Sequence, residues 1–374
     1  MLTIGINGRF LASRVTGVER YASNVYQRLI PLGLAKGHSF KIFAPLGYER
    51  TTEPVDSRVS LVPSKIFDGA IARHAWEQTL LPALSTLEGV DVLLNMTNTA
   101  PCLFKSCVVV LHDVAWLERP EWFSPAFNFG YNLVMPLAMR NARKVVTVSD
   151  YSAGEIERKL SVDPRKLQVI PEGVGEEFKH VAPDMVPESL REFDLSQPYF
   201  LHVGTVQPRK NLERLLEAYV LLYSQQSNVP PLMLAGGKNQ HFSTASLQDK
   251  LKCPGIRLLG YVPDEALPYL YSNALAYVSA SLYEGFGLTL LEAMACGSPV
   301  VASDIGAHRE VAGEAALLFD PASTDELLLV LKRLCTEADL REKLKAAGFE
   351  RVKRFSWDKH VSELLQTIEH CAAR

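Results

Sequence analysis

The stretch YEGFGLTLLEAMACGSPVVAS, residues 283–303, decides the fold. Gly285 and Gly287 precede an apolar helical run, LTLLEAMAC. A Gly-Ser-Pro break follows, and then a β-branched strand, PVVAS. A loop, a helix, a turn and a buried strand in that order form one crossover of a parallel sheet. Working outward, the same alternation fills the chain. Strand patterns fall at LTIGIN (2–7), FKIFA (40–44), DVLLN (91–95), VVVLH (108–112), KVVTVS (144–149) and LQVIP (167–171). A second series falls at YFLHVG (199–204), LMLAGG (232–237), IRLLG (256–260), LAYVSA (275–280), PVVAS (299–303) and ALLF (316–319). Most are apolar throughout, as strands buried on both faces are. Between them run helices such as NLERLLEAYVLLY, where Leu212, Leu215, Leu216, Tyr219 and Val220 share a face.

The pattern predicts an α/β chain of two Rossmann-like doubly wound domains facing a central cleft. The N-terminal domain spans 1–178 and the C-terminal domain 198–355. A Pro-rich, charged linker at 179–197 joins them, and an amphipathic helix at 356–374 crosses back to the N-terminal domain. Ligands of such sheets bind beyond the carboxyl ends of the strands, so candidate residues are sought there.

Charge excludes some classes. The chain of 374 residues carries 39 Lys+Arg against 42 Asp+Glu. Up to residue 178 there are 19 basic and 18 acidic side chains, so neither half has the basic excess of a nucleic-acid domain. The six cysteines form no CxxC and no zinc-like pairing with histidine, which reads as free thiols of a reducing compartment. MLTIGINGRF lacks a signal-peptide core, and no apolar run reaches the roughly 18 residues of a membrane span. These features describe a soluble, cytoplasmic protein.

Three segments carry chemistry. In NGRFLASRVTGVERY, Gly17 opens a helical pattern, where free amides suit an anion; a plain loop glycine is an equal reading. No GxGxxG triplet is present, which argues against NAD or FAD. In VGTVQPRKN (203–211), Gly204 permits a tight turn and Arg209 and Lys210 stand at a helix entrance. Cations there oppose the helix dipole, a conflict that a bound diphosphate would resolve. In 283–303, the amides of Phe286, Gly287, Leu288 and Thr289 are placed for phosphate. Glu292, one turn into the helix, and Glu284, in the loop, suit polyol hydroxyls. There is no Asp-x-Asp and no evident His/carboxylate metal cluster.

Together with the His112-Asp113 pair, VSDYS (148–152) and IPEGV (170–174), these segments resemble the retaining GT-B glycosyltransferases of family four, in particular bacterial mannosyltransferases. The resemblance covers nearly the whole chain and is densest in its second half. It implies a metal-independent hexosyl transfer in cell-surface polysaccharide synthesis, such as lipopolysaccharide O-antigen. The donor would be a nucleotide-diphosphate sugar, with GDP-mannose preferred, and the acceptor a glycan or lipid-linked glycan. Arg209 and Lys210 match the residues that neutralise the diphosphate, Glu292 the ribose ligand and Glu284 a contact to the donor sugar. Phe286 to Thr289 match the amide loop, and Tyr261 and Val262 the bracket around the base. His112 matches a histidine near the reacting carbon. Glu19 and Arg20 fall where acceptor recognition or catalysis is found. The chain departs from the family at Glu172, often Asn, and at Ala307, often Gly.

Several alternatives stay open. The donor could be a GDP-deoxyhexose, dTDP-rhamnose or a UDP-sugar. The same fold could host a nucleotide-sugar epimerase or a non-catalytic nucleotide-sugar binder. The aromatic segment 116–136 reads as core packing, with an acceptor wall or peripheral contact at the inner face of the membrane as rivals. The remaining histidines, His308 among them, read as surface or packing residues.

Overall fold

The computed structural model describes residues 1–12, 17–46, 56–64, 70–236 and 245–373. Gly237, the last residue of one expected strand, and His241 lie outside the described residues. The chain divides into two compact units, Met1–Gly173 with Ser356–Arg374, and Val174–Phe355.

The first unit holds β1 (Thr3–Asn7), β2 (Ser39–Pro45), β3 (Val59–Ser64), β4 (Val92–Asn95), β5 (Cys107–Val110), β6 (Lys144–Thr147) and β7 (Leu167–Val169). They form one parallel sheet in the order β3-β2-β1-β4-β5-β6-β7. The second unit holds β8 (Tyr199–Val203), β9 (Leu232–Ala235), β10 (Ile256–Gly260), β11 (Ala274–Ser279), β12 (Val300–Ser303) and β13 (Ala316–Phe319). These are also all parallel, in the order β10-β9-β8-β11-β12-β13. Each order reverses once, between β1 and β4 and between β8 and β11, so each sheet has one topological switch point.

The central strands β4, β5 and β8 are buried at nearly every residue, which is why their sequences show no alternation. The sequence reading passes over β3. It lies at the sheet edge, carries Pro63 and is only partly buried, and proline is tolerated there because one side of an edge strand needs no ladder donor.

The helix Leu212–Gln225 buries Leu212, Leu215, Leu216, Tyr219 and Leu222 in the second core. Each buried Leu contributes roughly 2 kcal/mol. Residues 179–197, expected to link the domains, are bound to the second unit. Tyr269 OH donates to Pro183 O (3.0 Å), Val181 N donates to Ser272 Oγ (2.9 Å), and Leu190 is buried.

The last helix, Trp357–Ala372, belongs to the first unit and packs on the helix Gly17–Ala35. His360 and Trp357 lie under Tyr21, and Thr367 Oγ1 donates to Gln168 Oε1 (3.0 Å). Gly173 is required by this contact, since a Cβ there would stand 2.1 Å from Trp357 N.

The aromatic segment divides. Trp116 is buried, Phe123, Phe127 and Tyr131 stack in series, and Phe129 is exposed. No helix among the described residues is long and apolar enough to cross a membrane.

Candidate active site

Because β8 and β11 are neighbours, the loops after them leave the second sheet side by side. Leu282 N donates to Arg209 O (2.7 Å) and joins them. The chain runs from β8 through Gly204 to a short turn, Pro208–Lys210, and then into the helix Leu212–Gln225. From β11 it runs through Ser281 to Gly287.

Glu284 is the hub. Arg209 Nη1 donates to its Oε2 (2.9 Å), and Lys210 Nζ (2.6 Å) and Ser281 Oγ (2.8 Å) donate to its Oε1. Burial alone would raise the Glu284 pKa. The Lys210 and Arg209 charges more than offset this and hold the carboxyl well below the usual range. Burial, and then Arg209, pulls the Lys210 ammonium down, against the attraction of Glu284. Two cations face one carboxylate, so the trio carries one surplus positive charge in a partly dry setting. Arg209 Nε is held by Gln207 Oε1 (2.9 Å), which fixes the guanidinium plane.

The second glycine of the loop, Gly287, precedes the helix Leu288–Ala295 at φ 109°, ψ 46°, a left-handed conformation that disfavours a side chain. No side chain caps this terminus, and Leu288 and Thr289 are half-buried. Thr289 Oγ1 accepts from Tyr277 OH (2.8 Å). Glu292 is buried and accepts from Tyr271 OH (3.0 Å). Beyond β10, Tyr261 is exposed and Val262 buried.

His308 follows β12 at the start of the helix Gly306–Ala312. Its Nδ1 lies 3.0 Å from Ser303 O, so that nitrogen carries the proton. Burial pushes the imidazole pKa down to about 4, so the ring is neutral at pH 7 and Nε2 is a bare acceptor. Nε2 is buried and has no hydrogen-bond partner among the described residues. A Cβ on Gly287 would stand 3.2 Å from His308 Cδ2 and 3.6 Å from Nε2.

His112, Gly17, Glu19 and Arg20 belong to the first unit. Gly17 is exposed at the start of the helix Gly17–Ala35, and Glu19 and Arg20 are half-buried in its first turn. His112, just past β5, is buried. Its Nε2 donates to Met96 O (3.1 Å), and Glu172 Oε1 lies 3.5 Å from Nδ1. Protein oxygens therefore face both ring nitrogens. VSDYS supports this position: Ser149 caps the helix Asp150–Leu160, and Ser152 Oγ donates to His112 O (3.0 Å). Tyr21 packs edge-on against the imidazole at 4.5 Å. Tyr21 OH donates to His360 Nε2 (2.7 Å), whose Nδ1 donates to Pro171 O (3.0 Å). Among the described residues, no group of three or more His, Cys, Asp or Glu is placed to hold a metal ion.

Comparison with known proteins agrees with this geometry. Residues 190–351 match the family model of glycosyl transferases group 1, and residues 15–178 match that of glycosyltransferase family 4. The O-antigen chain mannosyltransferase B of Escherichia coli is 33% identical over 273 residues, covering 72% of this chain and 71% of that one. The chain belongs to the family 4, group 1 glycosyltransferases. Another relative of this glycosyltransferase, the serotype-specific mannosyltransferase WbdA of Escherichia coli, is 28% identical over 85% of the chain. The chain spans only 39% of that longer protein. The solved sucrose-phosphate synthase of Thermosynechococcus elongatus superposes with a TM-score of 0.78 at 20% identity, over 100% of both chains. The glycosyltransferase has the GT-B fold, with two parallel sheets of seven and six strands.

Within its second unit, the candidates Gly204, Arg209, Lys210, Glu284 and Gly287 line one switch point. The sequence reading missed Ser281, Tyr271 and His308. Ser281 and Tyr271 reach the glutamates through tertiary packing and had no local signal. His308 did have one, because it follows the carboxyl end of a strand just as His112 does.

Proposed function

We propose that this glycosyltransferase moves a mannosyl group from GDP-mannose to a hydroxyl of a glycan or lipid-linked glycan, with retention at the anomeric carbon and without a metal ion. The observation that carries this reading is the surplus positive charge of Arg209 and Lys210 over Glu284 at the β8–β11 switch point, beside the open helix terminus at Gly287. A nucleoside diphosphate leaving group needs such charge, and Glu284 competes with it for the same two cations.

The roles are those that the family resemblance implies. Gly204 lets the diphosphate approach the backbone, and the amides of Phe286 to Thr289 donate to it. Glu292 takes the ribose hydroxyls. Tyr261 and Val262 bracket the base, and Glu284 also faces the donor sugar. The first unit takes the acceptor. There, Glu19 and Arg20 serve acceptor recognition; Gly17 counts among the donor-binding residues, and His112 takes the role of the family's histidine that contacts the transferred sugar.

As the bond from C1 to the phosphate oxygen lengthens, the transition state becomes oxocarbenium-like and negative charge collects on the diphosphate. The acceptor oxygen attacks on the same face, and its proton passes to the departing phosphate oxygen, so no separate base is needed. The mannosyl assignment is supported by two relatives whose names state that activity for themselves.

A calorimetric screen against GDP, UDP, dTDP and their sugars tests the donor. Stabilisation by GDP and GDP-mannose is expected, and binding of UDP-sugars alone would reject the assignment. The anomeric configuration of the product, read by NMR, tests retention. Activity abolished by chelator and restored by metal would reject metal independence.

A further inference from the structure

His308 is completely buried, and only one of its ring nitrogens is engaged. Nδ1 carries the proton and meets two oxygens of one residue, Ser303 O (3.0 Å) and Ser303 Oγ (3.1 Å). That hydroxyl donates to Ser281 O, so a lone pair is left for the ring. Nε2, on the other edge, has no donor among the described residues. Gly287 lies beside it, since a Cβ there would stand 3.6 Å from Nε2. A buried acceptor without a donor is costly and uncommon in a native fold.

The charges around the ring come from a few residues. Burial disfavours its protonation, the Glu284 carboxylate favours it, and Lys210 opposes it more weakly. Arg209 lies beyond, on the other oxygen of Glu284. The helix Leu288–Ala295, packed against the helix of His308, brings Glu292, which accepts from Tyr271 OH. On the helix of His308 itself, Arg309 pairs with Asp304, and the Glu310 carbonyl accepts from Arg351. Glu314, in the turn that follows, is exposed. His202, the other buried histidine of this unit, is placed differently. After burial and its bond to Val278 O, Lys210 acts on that ring more strongly than Glu284 does.

This balance holds while Arg209 and Lys210 stay on Glu284. A diphosphate draws both cations toward its own oxygens. Glu284, its side chain 11% exposed, then keeps only a neutral donor, Ser281 Oγ, and the opposition of Lys210 at His308 falls away. We propose that His308 is a positioning residue for Glu284: when a diphosphate takes Arg209 and Lys210, Nε2 takes one proton from solvent, and the imidazolium becomes the counter-ion of the carboxylate. The proton returns to solvent when the diphosphate leaves and the cations close on Glu284 again. Nδ1–H keeps its bond to Ser303 throughout, so only Nε2 changes. The inference rests on the reading of this site as a diphosphate site, and not on which base or sugar the donor carries.

Calorimetric titration with GDP-mannose and with UDP-glucose, at pH 6 in two buffers of different ionisation heat, counts the protons. Both ligands are diphosphate diesters and, unlike GDP, do not titrate near this pH. With the bound ring at or above its ordinary value of 6.5, uptake is at least about 0.75 proton per donor. Low pH then favours binding, and Kd weakens about fourfold or more from pH 6 to pH 8. His308→Leu and His308→Gln should show no uptake and a Kd independent of pH. Glu284→Gln, which has no anion to compensate, should show no uptake either. In the native chain labelled at histidine Cε1, NMR should show one ring moving to the imidazolium shift on donor addition, and that signal should be missing from His308→Gln. Binding of either donor without proton uptake would overturn the proposal. So would uptake that persists in a His308 variant or in Glu284→Gln, or charging of His202 in place of His308. Binding of UDP-glucose alone, with uptake, would uphold it while rejecting GDP-mannose as donor. Binding of neither would overturn it together with the reading on which it rests.

Discussion

Replacing Glu284 by Gln keeps the shape of the side chain and removes its charge. In the native protein the carboxylate accepts from Arg209 Nη1, Lys210 Nζ and Ser281 Oγ. The amide has one acceptor oxygen, and its NH2 must face a cation. Removing one partner of a buried ion pair costs about 3–5 kcal/mol. The Glu284 side chain is only 11% exposed, so little of this is screened away, although Arg209 is more open at 29%. Taking the low end, about 3 kcal/mol, the second unit should melt about 6–12 °C lower. A bound nucleoside diphosphate returns negative charge to the two cations. GDP should therefore raise the Tm of the variant by more than it raises that of the native enzyme. Differential scanning calorimetry with and without saturating GDP measures both effects. An unchanged Tm in the free variant, or the same GDP shift in both proteins, would refute the hub role of Glu284. The acid limb gives an independent check. The folded Glu284 pKa is depressed, so its contribution to stability is complete above the ordinary value of 4.5 and is lost as pH falls below it. Glu284→Gln should lack that component of acid destabilisation.

Other substitutions isolate single contacts. Arg209→Ala and Lys210→Ala should each lower transfer by about 100-fold and weaken donor binding; near-native values for both would remove them from the diphosphate site. Gly287→Ala places a side chain at φ 109° and 3.2 Å from His308 Cδ2, so stability should fall by about 1–3 kcal/mol in urea titration. An unaffected midpoint would show that the loop relaxes freely. Tyr21→Phe leaves His360 Nε2 without its donor inside the first unit, at a cost of about 1–3 kcal/mol. Burial pushes the His360 pKa down to about 4, so this loss should be the same at pH 6 and pH 8, and a pH-dependent loss would contradict the neutral assignment.

The sheets were legible because parallel strands covered on both faces must be apolar along their whole length, as in VVV at 108–110. β3 was not, because an edge position relaxes that demand and admits Pro63. In the site, Arg209, Lys210, Glu284 and Glu292 stood out as charges just beyond strands or in a glycine-rich turn. That Arg209 and Lys210 clasp Glu284 was hidden, since 74 or 75 residues separate the partners and only the adjacency of β8 and β11 brings them together. His308 was passed over although, like His112, it follows the carboxyl end of a strand. Its buried Nε2 becomes visible only once Gly287 is seen to lie against the ring. Glu172 was legible as a departure from the family pattern, but its place beside His112 was not.

The two switch points also differ in the charges they gather. At β1–β4, the buried Glu77 accepts from Asn7 Nδ2 (2.8 Å) and Thr99 Oγ1 (2.9 Å) and pairs with Arg9 (3.3 Å). Burial would raise the Glu77 pKa, but Arg9, His74 and Thr99 together hold it below its ordinary value, so the pair Arg9–Glu77 is one cation against one anion. At β8–β11, two cations meet one carboxylate. A dinegative or trinegative diphosphate brought to the first pair would face a buried carboxylate whose charge Arg9 only just offsets. Brought to the second, it finds two cations that share Glu284, and a helix terminus without a side-chain cap. The same strand order therefore places a one-to-one ion pair at one switch point and two cations around one carboxylate at the other. Reversing the sign at the second switch point, with Lys210→Glu, should abolish nucleotide binding altogether. Arg9→Gln, which disturbs the first pair, should leave the Kd for GDP within about twofold of native, since additivity holds for sites that share no partner. Equal losses from both variants, read by calorimetric titration, would show that the division of labour by charge is wrong.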